Sequence, residues 1–189
     1  MPKPIPPPTI AASVPPDLNR AYFEGCDRFR FSPRTSACEL PNAWWMAEAS
    51  FAAYDVFDQG RGLRVDLSSL LAAGWSVTVT TLGTTQFLGV ENEDTVIVAF
   101  RGTRLEGFTI PFFNVNGIAA HWGDVLTNSR FLSAPIEPGV LVHDGFLHAF
   151  RSIESDLQDF VDRPASKGKA VWFCGHSLGA ALATIAAYQ

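Results

Sequence analysis

No apolar run in this 189-residue sequence approaches 18 residues, so a membrane-crossing helix is not expected. Charge is sparse as well: Asp, Glu, Lys and Arg make up 17% of the chain and the net charge is −5. An acidic balance argues against a nucleic-acid partner held through a broad basic surface. Cysteine is scarce and odd in number, with only Cys26, Cys38 and Cys174. Reduced thiols are the default reading, with a Cys26–Cys38 pair left open for a protein exported by an unusual route. Their spacing is no metal signature, and neither a metal nor a cofactor is expected.

The first stretch, MPKPIPPPTIAASVPP, lacks the unbroken apolar segment of a secretory leader and is interrupted by seven prolines. It reads as an extended, solvated tail over residues 1–20, ahead of one domain over residues 21–189. A cytoplasmic location is the corresponding default.

Hydrophobic residues make up 47% of the sequence, enough for a packed core at this length. NAWWMAEASFAAY reads as a helix with Asn42 as N-cap and with Trp44, Ala47, Phe51 and Tyr54 at helical spacing. VDLSSLLAAG reads as a shorter helix ended by Gly74. WSVTVTTL and TQFLGV then carry β-branched strand patterns, and the turn ENED leads into TVIVAF, apolar throughout as a strand covered on both faces would be.

Further along, Leu147, Phe150, Ile153, Leu157 and Phe160 form one helical stripe, with Asp144 as its cap. KAVWFC is a second buried-strand candidate, and LGAALATIAAYQ is strongly helical. Strand, helix, strand, helix implies parallel β-α units and an α/β fold.

Between that strand and that helix stands Gly175-His176-Ser177-Leu178-Gly179. A G-x-S-x-G pattern arises by chance in about 6% of chains this long, so its weight comes from its setting. A strand running in and a helix running out is the setting of a nucleophile elbow. Such a turn forces the serine into a strained backbone, and side chains two positions before and after it would collide. The serine hydroxyl is lifted above the sheet, and the Leu178 N–H at the helix start is placed to donate to an oxyanion.

Several stretches together resemble the class 3 (fungal-type) lipase family of α/β-hydrolases, over about residues 40–189. TVIVAFRGT is similar to the family's strand ending in F-R-G-T, and DVLTN at Asp124–Asn128 to its D-W-L-T-N element, with Val125 where the family usually has Trp. VHDGFLHAF is similar to its V-H-x-G-F segment and FCGHSLGAALA to its elbow.

The resemblance implies a serine esterase acting on lipid esters, with Ser177 as nucleophile and Thr103 joining Leu178 in the oxyanion hole. Arg101 and Gly102 shape that loop, and Gly175 and Gly179 the elbow. His143 and His176 are structural neighbours of the site, while His121 and His148 match no motif. Residues 104–120, with Phe108, Ile110, Phe112, Phe113, Val115 and Ile118, correspond to a lid that opens onto a lipid interface. Triacylglycerol is the family's default substrate, with phospholipid and feruloyl esters as alternatives.

The histidine and carboxylate that activate such a serine follow it in α/β-hydrolases. After Ser177 this sequence has no Asp, Glu or His. Four readings stand: these residues are the front part of a longer enzyme, with the missing pair beyond residue 189; a second chain supplies the pair; the protein is a catalytically silent lipid- or partner-binding scaffold; or a noncanonical base such as His143 serves. On the first reading, residues 1–189 alone are nearly inactive.

Overall fold

The computed structural model of the chain describes residues 16–55, 63–82, 85–102 and 133–189. The Pro-rich stretch up to residue 15, Thr103, residues 104–120, His121 and Asp124–Asn128 lie outside the described residues.

Helix α1 runs over Leu40–Ala52 and ends in a 3-10 turn, Ala53–Asp55; a short α2 follows at Ser68–Ala72. Strands β1 (Ser76–Leu82), β2 (Thr85–Glu91) and β3 (Thr95–Phe100) come next, then the hairpin β4 (Ser133–Glu137) and β5 (Val140–His143). Helices α3 (Asp144–Arg151) and α4 (Glu154–Ser166) lead to β6 (Ala170–Gly175) and α5 (Leu178–Tyr188).

The main sheet has the order β1-β2-β3-β6. β1, β2 and β3 pair antiparallel, and β6 lies parallel to β3. The α/β class holds, but the sheet is mixed: of the described pairs in it only β3–β6 is parallel. Loops of two or three residues join β1 to β2 and β2 to β3, too short for the crossover that parallel pairing requires. The turn into β3 is set by Asn92, whose Oδ1 accepts the N–H groups of Asp94 and Thr95 at 3.0 and 2.9 Å.

Every residue of β3 is buried, because helices cover both faces. Alternation divides its side chains between two cores. Ile97 and Ala99 join Phe23, Trp45, Leu88, Val90 and Cys174 on the α1 side. Val98 and Phe100 join Phe87, Phe150, Ile153, Leu157, Leu182 and Ile185 on the α3–α5 side. Burial of each large side chain is worth about 1.5–3 kcal/mol, which fixes the strand register against a one-residue slip.

Two helix readings are corrected. α1 begins at Leu40, with Glu39 as its cap residue and Pro41 in the first turn, so Asn42 is no N-cap. Asn42 is buried and clamps the preceding loop instead, accepting Ser32 N–H at 2.8 Å and donating to Ser32 O at 2.9 Å. The buried face carries Trp45, Ala49 and Ala52 rather than Trp44 and Ala47. Trp45 rotates the helix onto the core by packing on Trp75 and Phe23, with ring centroids 4.6 and 5.1 Å away.

The stripe from Leu147 to Phe160 spans two helices, and Asp144 is the first residue of α3 with no side-chain capping bond. The break occurs where Ser152 Oγ bonds the Ala149 carbonyl at 2.7 Å, which Thr85 Oγ1 also approaches at 3.3 Å. Ile153 N–H turns back to Phe150 O instead. Leu147, Phe150, Ile153 and Leu157 remain buried across the break.

All three cysteines are free, Cys26 and Cys174 buried and Cys38 exposed. No helix among the described residues is long and apolar enough to cross a membrane.

Candidate active site

β6 delivers Gly175 to the C-terminal end of the sheet, level with Phe100 of β3 in the parallel register. The chain then bends at His176 and enters α5 at Leu178. Ser177 makes the reversal with φ 59° and ψ −124°, a backbone region that L-residues avoid and that costs on the order of 1–3 kcal/mol.

The expected collisions have identifiable partners. A Cβ on Gly175 would run into the backbone carbonyl of Gly179 and come within 2.9 Å of Ala180 N. A Cβ on Gly179 would overlap the carbonyl oxygen of Phe100 and approach Arg101 C at 3.2 Å. Gly175 therefore lets the turn close on itself, whereas Gly179 lets α5 pack against the end of β3.

The first N–H groups of a helix lack intrahelical partners. In α5, Gly179 N–H bonds His176 O and Ala180 N–H bonds Ser177 O, both at 3.0 Å. Leu178 is the first residue of this helix, so its N–H sits at the positive end of the helix beside Ser177.

The loop leaving β3 reaches the same place. Arg101 N–H continues the ladder to Gln86 O at 3.0 Å, and Gly102 is buried against the elbow. A Cβ there would lie 2.6 Å from His176 O and 2.8 Å from Cζ of Tyr54. The fold thus brings together Ser177, Leu178, Gly175, Gly179, His176, Arg101 and Gly102 from two separate segments. Thr103, next along the loop, lies outside the described residues.

Of the histidines, His176 is engaged through Nδ1 by the Tyr54 hydroxyl at 2.9 Å. Its ring is flanked by Phe51 and Tyr54, with centroids 5.7 and 5.9 Å away. His143 closes β5 as the residue preceding α3 and packs on Phe146, with ring centroids 4.6 Å apart. His148 is exposed on α3.

Cys174, three residues before Ser177, has a thiol pushed up to about 12 by burial, opposed by a hydrogen bond with Ser50. It is protonated and enclosed at neutral pH, and therefore inert as a nucleophile. Beside it an apolar groove of about 760 Å³ runs along β6 between α1 and α5, lined by Met46, Phe51, His176 and Ala183 but not by Ser177.

Tyr54 is the residue of this neighbourhood whose connection sequence spacing misses. It sits on a helical stripe and reads as core, while its hydroxyl partner lies 122 residues away. No local pattern signals such a contact. Among the described residues, no group of three or more His, Cys, Asp and Glu side chains is placed to hold a metal ion.

Compared with known proteins, residues 97–189 match the family model described as lipase (class 3). Neither a curated protein nor a solved structure matches the chain.

Proposed function

Residues 97–189 belong to the class 3 lipase family, and on that premise we propose that the protein is a cofactor-free serine hydrolase cleaving lipid esters through an acyl-enzyme. The family points to lipid-ester hydrolysis in general. The observation that carries the finer assignment is the backbone of Ser177, held at positive φ between β6 and α5 with the Leu178 N–H beside it.

In this reading Ser177 Oγ attacks the ester carbonyl. The negative charge that forms on the carbonyl oxygen is received by the Leu178 N–H and by the N–H and hydroxyl of Thr103. One such donor contributes about 10²–10³-fold to the rate. The alcohol departs with a proton, and water releases the acid from the acyl-serine.

A serine hydroxyl is a weak nucleophile without a base. In α/β-hydrolases that base is a histidine oriented by a carboxylate, both following the serine along the chain, and residues 178–189 hold no Asp, Glu or His. His176 is a poor substitute, because its Nδ1 is bonded to the Tyr54 hydroxyl rather than to a carboxylate. Residues 1–189 alone would then retain only the roughly 10³–10⁴-fold acceleration that binding and an oxyanion hole supply. Triacylglycerol is the leading substrate, with phospholipid and feruloyl esters as competitors.

Ester turnover by the protein and its Ser177→Ala variant tests this reading. A hydrolase loses turnover with the hydroxyl. A silent scaffold shows no turnover in either form and binds lipid equally in both.

A further inference from the structure

Tyr54 belongs to the 3-10 turn that closes α1, and its side chain ends where the elbow meets the loop leaving β3. The residue is only 7% exposed. On one side its hydroxyl lies 2.9 Å from His176 Nδ1. On the other, Gly102 passes so close that a Cβ there would overlap the Tyr54 hydroxyl oxygen. The His176 carbonyl, 2.6 Å from that same Cβ position, closes the opposite wall of the gap.

The ring is held firmly behind this contact. Asp55, the next residue, has a fully buried carboxylate that accepts the Val65 N–H at 2.8 Å, the Arg64 N–H, and Arg64 Nε at 2.9 Å. Phe51, one turn earlier, meets the His176 imidazole edge-on at 81°. A phenylalanine would fill the volume of the Tyr54 ring equally well. A buried hydroxyl is costly unless bonded, so the group has to be explained by what it holds.

We propose that Tyr54 is a positioning residue whose hydroxyl ties the Ser177 turn, through His176, to the loop at Gly102 that follows β3. This rests on the ester-hydrolase reading above. Burial raises the pKa of the Tyr54 phenol above its ordinary value, and the nearby Arg101 guanidinium opposes the rise. The phenol therefore keeps its proton at neutral pH, and the Tyr54 hydroxyl and His176 Nδ1 share one hydrogen bond. The imidazole is fixed in one orientation, and the backbone on either side of it inherits that orientation.

The test uses protein expressed from its complete natural coding sequence and a fluorophosphonate, measuring separately the reagent's affinity and the rate constant of Ser177 phosphonylation. Tyr54→Phe is expected to lower the rate constant about tenfold, the cost of one well-placed hydrogen bond, while affinity and melting temperature stay near wild type. His176→Ala should do the same, and the double variant should be no slower than the slower single. A Tyr54→Phe rate equal to wild type, or a loss confined to affinity, overturns the proposal. If Tyr54→Phe does not fold, His176→Ala decides: a tenfold slower rate supports the role and an unchanged one overturns it. Wild-type Ser177 that never reacts would instead overturn the ester-hydrolase reading, and the positioning role with it.

Discussion

Gly179 packs its α-carbon against the carbonyl oxygen of Phe100, so that the first turn of α5 rests on the last residue of β3 without space for a methyl group. This contact sets how close the elbow stands to the loop at Arg101 and Gly102. Gly179→Ala has to push α5 away from β3. We expect it to cost about 1–3 kcal/mol of stability, as overpacking of a close contact does, and to slow any reaction at Ser177. Urea denaturation and reactivity with a phosphonate measure the two effects.

The strain at Ser177 predicts an unusual ordering of variants. Glycine adopts positive φ freely, whereas alanine keeps the strain. Ser177→Gly should therefore be more stable than Ser177→Ala by about 1–2 kcal/mol, although both lack the hydroxyl. Thermal melting compares them, and equal stability would mean that the turn carries no strain.

Asp55 anchors the turn that presents Tyr54. Removing its carboxylate deletes the acceptor that the Arg64 and Val65 N–H groups and Arg64 Nε share. Asp55→Ala is expected to destabilise the protein by about 2–3 kcal/mol. A loss below about 0.5 kcal/mol in equilibrium unfolding would contradict the anchoring role.

Cys174 gives a pH dependence with a definite sign. Its thiol is raised from 9.0 to about 12 in the folded chain, so between those values the native state holds a proton that the unfolded chain has lost. The stabilisation is complete below pH 9 and is lost as pH rises toward 12, by up to about 1.4 kcal/mol per unit. Cys174→Ala should flatten the stability curve in that window. Below pH 9, thiol reagents should modify the exposed Cys38 and spare Cys174 until the protein unfolds.

The geometry of the candidate site was legible in the sequence where its causes are local. Gly175, Ser177 and Gly179 act within one turn, and the unbroken apolar run Thr95–Phe100 reads directly as a strand covered on both faces. Legibility failed where tertiary packing decides. Trp45 rather than Trp44 faces the core because Trp75 and Phe23 wait there. The stripe from Leu147 to Phe160 hides a helix break, because Phe150 before it and Leu157 after it both stay buried. The hairpin Ser133–His143 went unread although β4 alternates exposed and half-buried residues, because its strands are only five and four residues long and Pro135 reads as a strand breaker. The family resemblance, read over residues 40–189, is matched over residues 97–189. Tyr54 depends on a partner too distant in sequence for any spacing rule to reach.

The most direct test of the central claim is to trap the acyl-enzyme. Protein taken from its own source is mixed with a lipid ester, quenched in acid during turnover, and digested for peptide mass spectrometry. The account predicts an acyl group on the peptide carrying Ser177, and on no other. Turnover with Ser177 unmodified and the acyl group on another residue would contradict it.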